Sequence, residues 1–226
     1  MWKYLYSGVC FKNGRTSNMD SLLVKIRSLG DKRALLAVVC DGVGSLQDGE
    51  FASGTAAREL GEWFDSLTDF QRAGMKMRDT VHTINAHIIQ AAQQKKLRSA
   101  STLSAILLLE GQYHITHVGD SRVYVNDGRA LIQLTCDDVS ETGSLTAYIG
   151  QERGLMPQYL EGDAVGKTFL LCSDGLYKRM DRGFLFDNMG ASSMRAAKSS
   201  VNALTRYVID EGEKDNITAV LIKTMN

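Results

Sequence analysis

Three stretches of the chain, ALLAVVC (34–40), STLSAILLLE (101–110) and KTFLLCS (167–173), are apolar at nearly every position instead of alternating. A strand with apolar residues at both odd and even positions has both faces covered, so these three predict buried strands. Around them the pattern is mixed. YLYSGVCF and LLVKIRS read as strands separated by the loop KNGRTSNMDS, and the turn LGDKR leads into ALLAVVC. Connections this short mean antiparallel pairing.

Helical spacing follows. A segment from about Gly49 to Leu67 is rich in small residues, which lets a helix approach a sheet closely, and a second helix carries Met75, Val81, Ile84, Ile88 and Ile89 on one face. Next come STLSAILLLEG, QYHITHVGDSRVYVNDG and RALIQLT, strands broken by glycine turns, with Asn126–Gly128 a strong hairpin signal; they predict a β-meander. A polar loop and a less regular stretch reach Asp163. A last helix, capped by Ser192 or Ser193, turns Met194, Ala197, Val201, Leu204 and Val208 inward, and ITAVLIKT closes the chain as a strand. The order β-rich, αα, β-rich, α, β lacks the strict βα alternation of a doubly wound sheet. It predicts an α+β fold: a four-layer αββα sandwich of two antiparallel sheets flanked by helices.

Composition narrows the class. With 44% hydrophobic residues, a single proline and no low-complexity tract, residues 1–226 read as one domain. The 26 basic residues are matched by 26 acidic ones, so no cationic footprint points to nucleic acid or to an anionic membrane surface. No apolar run approaches the roughly 20 residues needed to span a bilayer, and a cytoplasmic monomer is expected. Cys10, Cys40, Cys136 and Cys172 form no CxxC pair and read as reduced core thiols.

The buried strands end oddly. VVCDG delivers Asp41, THVGDS delivers Asp120, LLCSDG delivers Asp174, and EKDNITAVLI places Asp215 just before a strand. Turn chemistry explains any one Asp-Gly pair. Four carboxylates at strand borders ask for more, because a buried unpaired carboxylate is costly and must be solvated, paired or bound to metal. Oxygen donors at a sheet edge suit hard divalent ions, and a glycine after the aspartate would let a carbonyl come close to one.

GRTSNMDS, VVCDGVGS, STLSAILL, THVGDSRVYV, LEGD, FLLCSDGL and EKDNITAVLI, taken in order, resemble the metal-dependent type 2C serine/threonine protein phosphatases over nearly the whole chain, and bacterial members in particular. The resemblance implies the same sandwich with two divalent ions, Mn²⁺ or Mg²⁺, at one end. It implies that Asp41 bridges the ions, that the Gly42 carbonyl binds one, and that Asp174 and Asp215 complete the set. Asp120, with Asp174, matches residues that hold a third, weaker ion. Arg15 matches the arginine that receives the substrate phosphate, and Asn18 and Asp20 fall behind the ligands. The implied chemistry is two-metal hydrolysis, with ions roughly 3.5–4 Å apart activating a shared water. A guanidinium is suited to a two-pronged contact with phosphate oxygens.

The sequence also departs from the family pattern. Met19 stands where many members carry an acidic residue that fixes a metal-bound water. Val43 stands where some carry a proton-donating histidine, which implies slow turnover of poor leaving groups. The segment between QLTCDD and AYIG is shorter than the usual flap region. Cysteine-based phosphatase chemistry is disfavoured by spacing, since Cys10 and Arg15 lie one residue too close and Cys172 and Arg179 one too far apart for a phosphate loop. The G-x-G of DGVGS lacks a third glycine, and His82, His87, His114 and His117 read as structural or surface residues. The expectation is hydrolysis of phosphoserine and phosphothreonine in phosphoproteins, opposing a cognate serine/threonine kinase. The alternative is a catalytically weak or inactive pseudophosphatase serving as a binding or regulatory module.

Overall fold

A computed structural model describes residues 2–44 and 48–225; Ser45, the last residue of the VVCDGVGS stretch, lies outside them. In chain order the elements are β1 (Lys3–Phe11), β2 (Ser21–Leu29), β3 (Lys32–Cys40), α1 (Gly49–Ser66), α2 (Ala73–Gln94), β4 (Leu103–Leu109), β5 (Gln112–Val118), β6 (Arg122–Asn126), β7 (Leu131–Gln133), β8 (Gln158–Asp163), β9 (Thr168–Cys172), α3 (Asp174–Tyr177), α4 (Arg182–Asn188), α5 (Met194–Asp210) and β10 (Ile217–Met225). They build two antiparallel five-stranded sheets, ordered β1-β10-β9-β6-β7 and β2-β3-β4-β5-β8. The α+β sandwich is the expected one.

Burial explains the unbroken apolar runs. In β3, Ala34, Leu36, Val38 and Cys40 pack outward under α1 and α2, whereas Leu35, Ala37 and Val39 pack inward against Phe169, Leu171, Val220 and Ile222 of the other sheet. A third apolar layer lies on the far side, where Leu170, Cys172, Ala219 and Leu221 meet Ala197, Val201, Leu204 and Val208 of α5. Each fully buried Leu or Phe contributes roughly 1.5–3 kcal/mol. A carboxylate inside such a run would forfeit that and add a desolvation cost, so charge is confined to the strand ends.

Antiparallel register then collects the ends. Cys40 at the close of β3 pairs with Ser21 at the opening of β2, and Val39 pairs with Ser104 near the opening of β4. In the other sheet Cys172 at the close of β9 lies between Ala219 of β10 and Arg122 of β6, and Phe11 at the close of β1 faces Ile217. The residues that follow β3 and β9, precede β10 and link β1 to β2 therefore share one rim of the sandwich.

Four expectations are corrected. The predicted meander is split: β4 and β5 pair in one sheet, and the chain then crosses at Gly119–Ser121 so that β6 and β7 join the other. A sequence of alternating strands and turns carries no signal for which sheet receives the next strand. The irregular stretch before Asp163 contains β8, the edge strand paired with β5. On α2 the buried methionine is Met77, not Met75, and on α5 Met194 is exposed, its sulfur accepting the Tyr6 N–H at 3.3 Å at the margin of the sheet. Cys40 and Cys172 are core thiols, but Cys10 and Cys136 are exposed; all four are free. No helix among the described residues is long and apolar enough to cross a membrane.

Candidate active site

The rim carries a cavity of about 410 Å³ whose lining includes Arg15, Met19, Asp41, Gly42, Val43, Asp120, Asp174 and Asp215. All four strand-end aspartates and the candidate phosphate arginine thus meet in one place. Asn18 and Asp20 lie behind it. Asp20 is buried, accepts a hydrogen bond from the Ser173 hydroxyl at 2.8 Å, and has its backbone N–H bound by the Asn18 side-chain oxygen at 3.2 Å.

Backbone contacts fix Asp41. Its N–H donates to Thr102 Oγ1 and its carbonyl accepts from the Thr102 N–H, both at 2.9 Å, and the Ser101 hydroxyl donates to the same carbonyl. Gly42 N–H donates to the Met19 carbonyl at 3.1 Å, tying the strand end to the 12–20 loop. The glycines after the aspartates prove to serve backbone packing. A Cβ on Gly42 would lie 2.5 Å from the Gly49 carbonyl and 2.6 Å from that of Met19, and a Cβ on Gly175 would lie 2.0 Å from the carbonyl of Asn216. These close approaches bring Asp41 against α1, and Asp174 against the segment holding Asp215.

Asn216, which sequence reasoning did not single out, staples the same loop. It accepts the Met19 N–H at 2.9 Å and donates to the carbonyls of Lys12 and Ser17 at 2.8 and 3.0 Å. Its signal was a polar residue directly ahead of an apolar strand. Arg122 is also structural: it binds Asp137 through both carboxylate oxygens and lies over the Tyr177 ring at 3.6 Å, while the Tyr177 hydroxyl donates to the Asp120 carbonyl at 3.0 Å. The short flap reaches the cavity nonetheless. Val139 bridges Leu145, and Leu145 forms part of the wall. His117 is buried between Ser104 and the Gly119 carbonyl, and His87 pairs with Glu59 at the surface, as structural roles require.

Burial is the larger influence on the carboxylates of the rim, and crowding of like charges adds to it. Burial, reinforced by Asp20, Asp174, Asp120 and Asp215, drives the Asp41 carboxyl well above the ordinary carboxylate range. Asp20 is pushed up to about 6 by burial against the pull of its Thr218 and Ser173 hydrogen bonds, and Asp120 to about 6 by burial and by Asp174. Asp215 differs. Burial would raise it, but hydrogen bonds from Arg15 and the Asn216 N–H, with the charges of Arg15 and Lys178, outweigh burial and hold it below the usual value.

Two cations occupy two of the carboxylates. Arg15 grips Asp215 with both prongs, Nε to Oδ1 at 2.8 Å and Nη2 to Oδ2 at 2.6 Å, and Lys178 donates to Oδ2 of Asp174. Lys178 was missed in the sequence, although its i+4 spacing from Asp174 at the start of a short helix was visible there. With these pairs made, no three His, Cys, Asp or Glu side chains among the described residues converge as a ready coordination shell. The donor chemistry nevertheless fits hard divalent ions: every candidate is a carboxylate or carbonyl oxygen, and Asp41 and Asp120 are raised by burial, with neighbouring carboxylates adding a like-charge contribution that cations would relieve.

The comparisons with known proteins agree with this geometry. Residues 14–221 match the family model for protein phosphatase 2C. The chain belongs to the protein phosphatase 2C family. Within the family it is 27% identical over 233 residues to the protein phosphatase PhpP of Streptococcus pneumoniae, covering 92% of each chain. Its fold matches the serine/threonine phosphatase Stp1 from Staphylococcus aureus with a TM-score of 0.85 at 22% identity, over 96% of this chain and 94% of that one. It matches the catalytic domain of the serine/threonine protein phosphatase PstP, solved in complex with two manganese ions, with a TM-score of 0.82 at 22% identity over 100% of both chains.

Proposed function

We propose that this chain removes phosphate from phosphoserine and phosphothreonine in proteins by metal-dependent hydrolysis. The observation that carries the reading is the meeting of Asp41, Asp120, Asp174 and Asp215 with Arg15 on one cavity. Asp41, the Gly42 carbonyl, Asp174 and Asp215 are the groups that would hold two divalent ions, Mn²⁺ or Mg²⁺. When bound, the ions would supply Lewis acidity, lowering the pKa of a water and neutralising phosphoryl oxygens.

The remaining work belongs to the chain's own residues. Arg15, with a side chain 59% exposed at the mouth of the cavity, is placed to exchange the two oxygens of Asp215 for two oxygens of a phosphate. Asp20, buried behind the cavity, accepts from the Ser173 hydroxyl and so ties the start of β2 to the start of α3. Asn18 holds the Asp20 backbone. Val43, on the cavity wall, has no proton to give, so protonation of the leaving group would fall to a metal-bound water or to solvent, and poor leaving groups turn over slowly. A phosphoprotein substrate is supported by the family and by relatives named as protein phosphatases; such substrates make a serine/threonine kinase the natural opponent. Four free cysteines fit a reducing cytoplasm.

The test is hydrolysis of an aryl phosphate and of a phosphothreonine peptide with Mn²⁺, with chelator, and with Asp41→Asn. Turnover with Mn²⁺ should vanish on chelation and fall by about a hundredfold or more in the variant, the scale for losing one charge-stabilising group. Turnover surviving both treatments would overturn the reading. No turnover with any metal, in a folded protein, would favour the binding-module alternative.

A further inference from the structure

Asp215 stands on the connection between α5 and β10, outside any strand, so its carboxylate is aimed only as well as that turn is held. Two side chains hold it. The Asp215 N–H donates to Oε1 of Glu213 at 2.8 Å, and its carbonyl accepts from Nδ2 of Asn13 at 3.0 Å. Both partners are shared within the turn: Glu213 Oε1 also accepts the Lys214 N–H at 2.7 Å, and Asn13 Nδ2 also donates to the Glu213 carbonyl at 2.8 Å.

Glu213 is itself held from two directions. Its N–H donates to the Val208 carbonyl in the last turn of α5 at 2.9 Å. Its side chain is only 12% exposed, with Oε2 at 3.4 Å from Nε of Arg179, and the same guanidinium donates through Nη1 to the Glu211 carbonyl at 3.2 Å. Arg179 directly follows Lys178, the C-cap of the helix that Asp174 begins. A line of contacts thus runs from the end of α3 through Arg179 and Glu213 to the backbone of Asp215. Hydrogen bonds to a carboxylate are about twice as strong as neutral ones, and here one oxygen takes two. Glu213 does not line the cavity, so it acts on the site through Asp215.

We propose that Glu213 is a positioning residue for Asp215: its carboxylate, steadied by Arg179, fixes the turn that aims Asp215 at a divalent ion. The inference rests on the reading that Asp215 is an ion ligand. What the turn needs from residue 213 is an acceptor oxygen, and a glutamine supplies one at the same reach. The ion pair with Arg179 matters less, because the guanidinium is 52% exposed and water screens it. Alanine or methionine at 213 leaves the Lys214 and Asp215 N–H groups without their acceptor, and the turn relaxes away from the position that serves an ion.

The experiment is a calorimetric titration of the full chain with Mn²⁺, with circular dichroism to report folding. Glu213→Ala, and Glu213→Met as the variant that keeps the side chain's bulk, should each weaken Mn²⁺ binding by about ten- to a hundredfold, the scale for losing a group that orients a metal ligand. Glu213→Gln should stay within about threefold of the native protein. In an Asp215→Asn background, Glu213→Ala should change the affinity by less than about threefold, since its only route to the ion is gone. Native affinity in a folded Ala or Met variant, even one with a lowered melting temperature, would overturn the inference. So would a Gln variant as weak as Ala, which would assign the effect to charge alone, or a full further loss in the Asp215→Asn background. No Mn²⁺ bound by the native protein, or native affinity in Asp215→Asn, would instead overturn the reading of Asp215 as a ligand.

Discussion

Arg15 and Asp215 form a two-pronged pair at 2.8 and 2.6 Å, and under the proposed function each partner has a second suitor: phosphate for the arginine, a divalent ion for the carboxylate. With the arginine side chain 59% exposed, the pair is a modest contributor to stability and easily exchanged. Arg15→Ala should therefore leave the fold unchanged and raise KM for a phosphothreonine peptide by about tenfold or more, the scale of a lost charged hydrogen-bond pair, while kcat falls less. Steady-state kinetics decide it, and an unchanged KM would remove Arg15 from phosphate binding. At this scale the sequence was informative about Asp41, Asp120, Asp174, Asp215 and Arg15, because strand-end carboxylates and ordered motifs mark them. Lys178 and Asn216 were not singled out. The i+4 pairing of Lys178 with Asp174 needs the short helix α3, which was not read, and the role of Asn216 depends on where the 12–20 loop passes, which no local pattern records.

Among the elements, the glycines beside the aspartates show why local reading falls short. Asp-Gly looked like a turn, or like room for an ion, but the hydrogen atoms of Gly42 and Gly175 face the backbones of Gly49, Met19 and Asn216. Gly175 is the tighter case, with its would-be Cβ 2.0 Å from a carbonyl oxygen that no rotamer change can move. Gly175→Ala should push α3 away from the start of β10, costing about 1–3 kcal/mol as an overpacking defect and weakening Mn²⁺ binding by separating Asp174 from Asp215. A thermal melt and a Mn²⁺ titration check both effects; an unchanged melting temperature would contradict the close approach. The three long helices were legible as elements, including the Ser193 cap, whose hydroxyl accepts the Ala196 N–H at 3.1 Å, whereas the short helices α3 and α4 were not read from the sequence. The inward face was misjudged at Met194, which is exposed, and at Met75 and Ile89, which are only half-buried.

For the whole molecule, three apolar layers explain both what the sequence revealed and what it hid. Runs such as ALLAVVC signal strands covered on both sides, and two covered sheets with helices in the right order leave few arrangements. The crossing of the chain between sheets at Gly119–Ser121 was not legible, since β4 to β7 look alike whichever sheet they join. That crossing is what carries Asp120 to the rim. A match in fold at a TM-score of 0.85 with 22% identity fits this account: the fold is kept while most residues vary.

The central claim is that the rim aspartates hold two divalent ions once Arg15 lets go of Asp215. The most direct measurement is an anomalous difference map from crystals of the protein soaked in Mn²⁺. The account predicts two strong peaks touching Asp41, one or both also touching Asp174 and Asp215, with the Arg15 guanidinium swung off Asp215. No peak at Asp41, or manganese bound elsewhere with the Arg15–Asp215 pair intact, would contradict it.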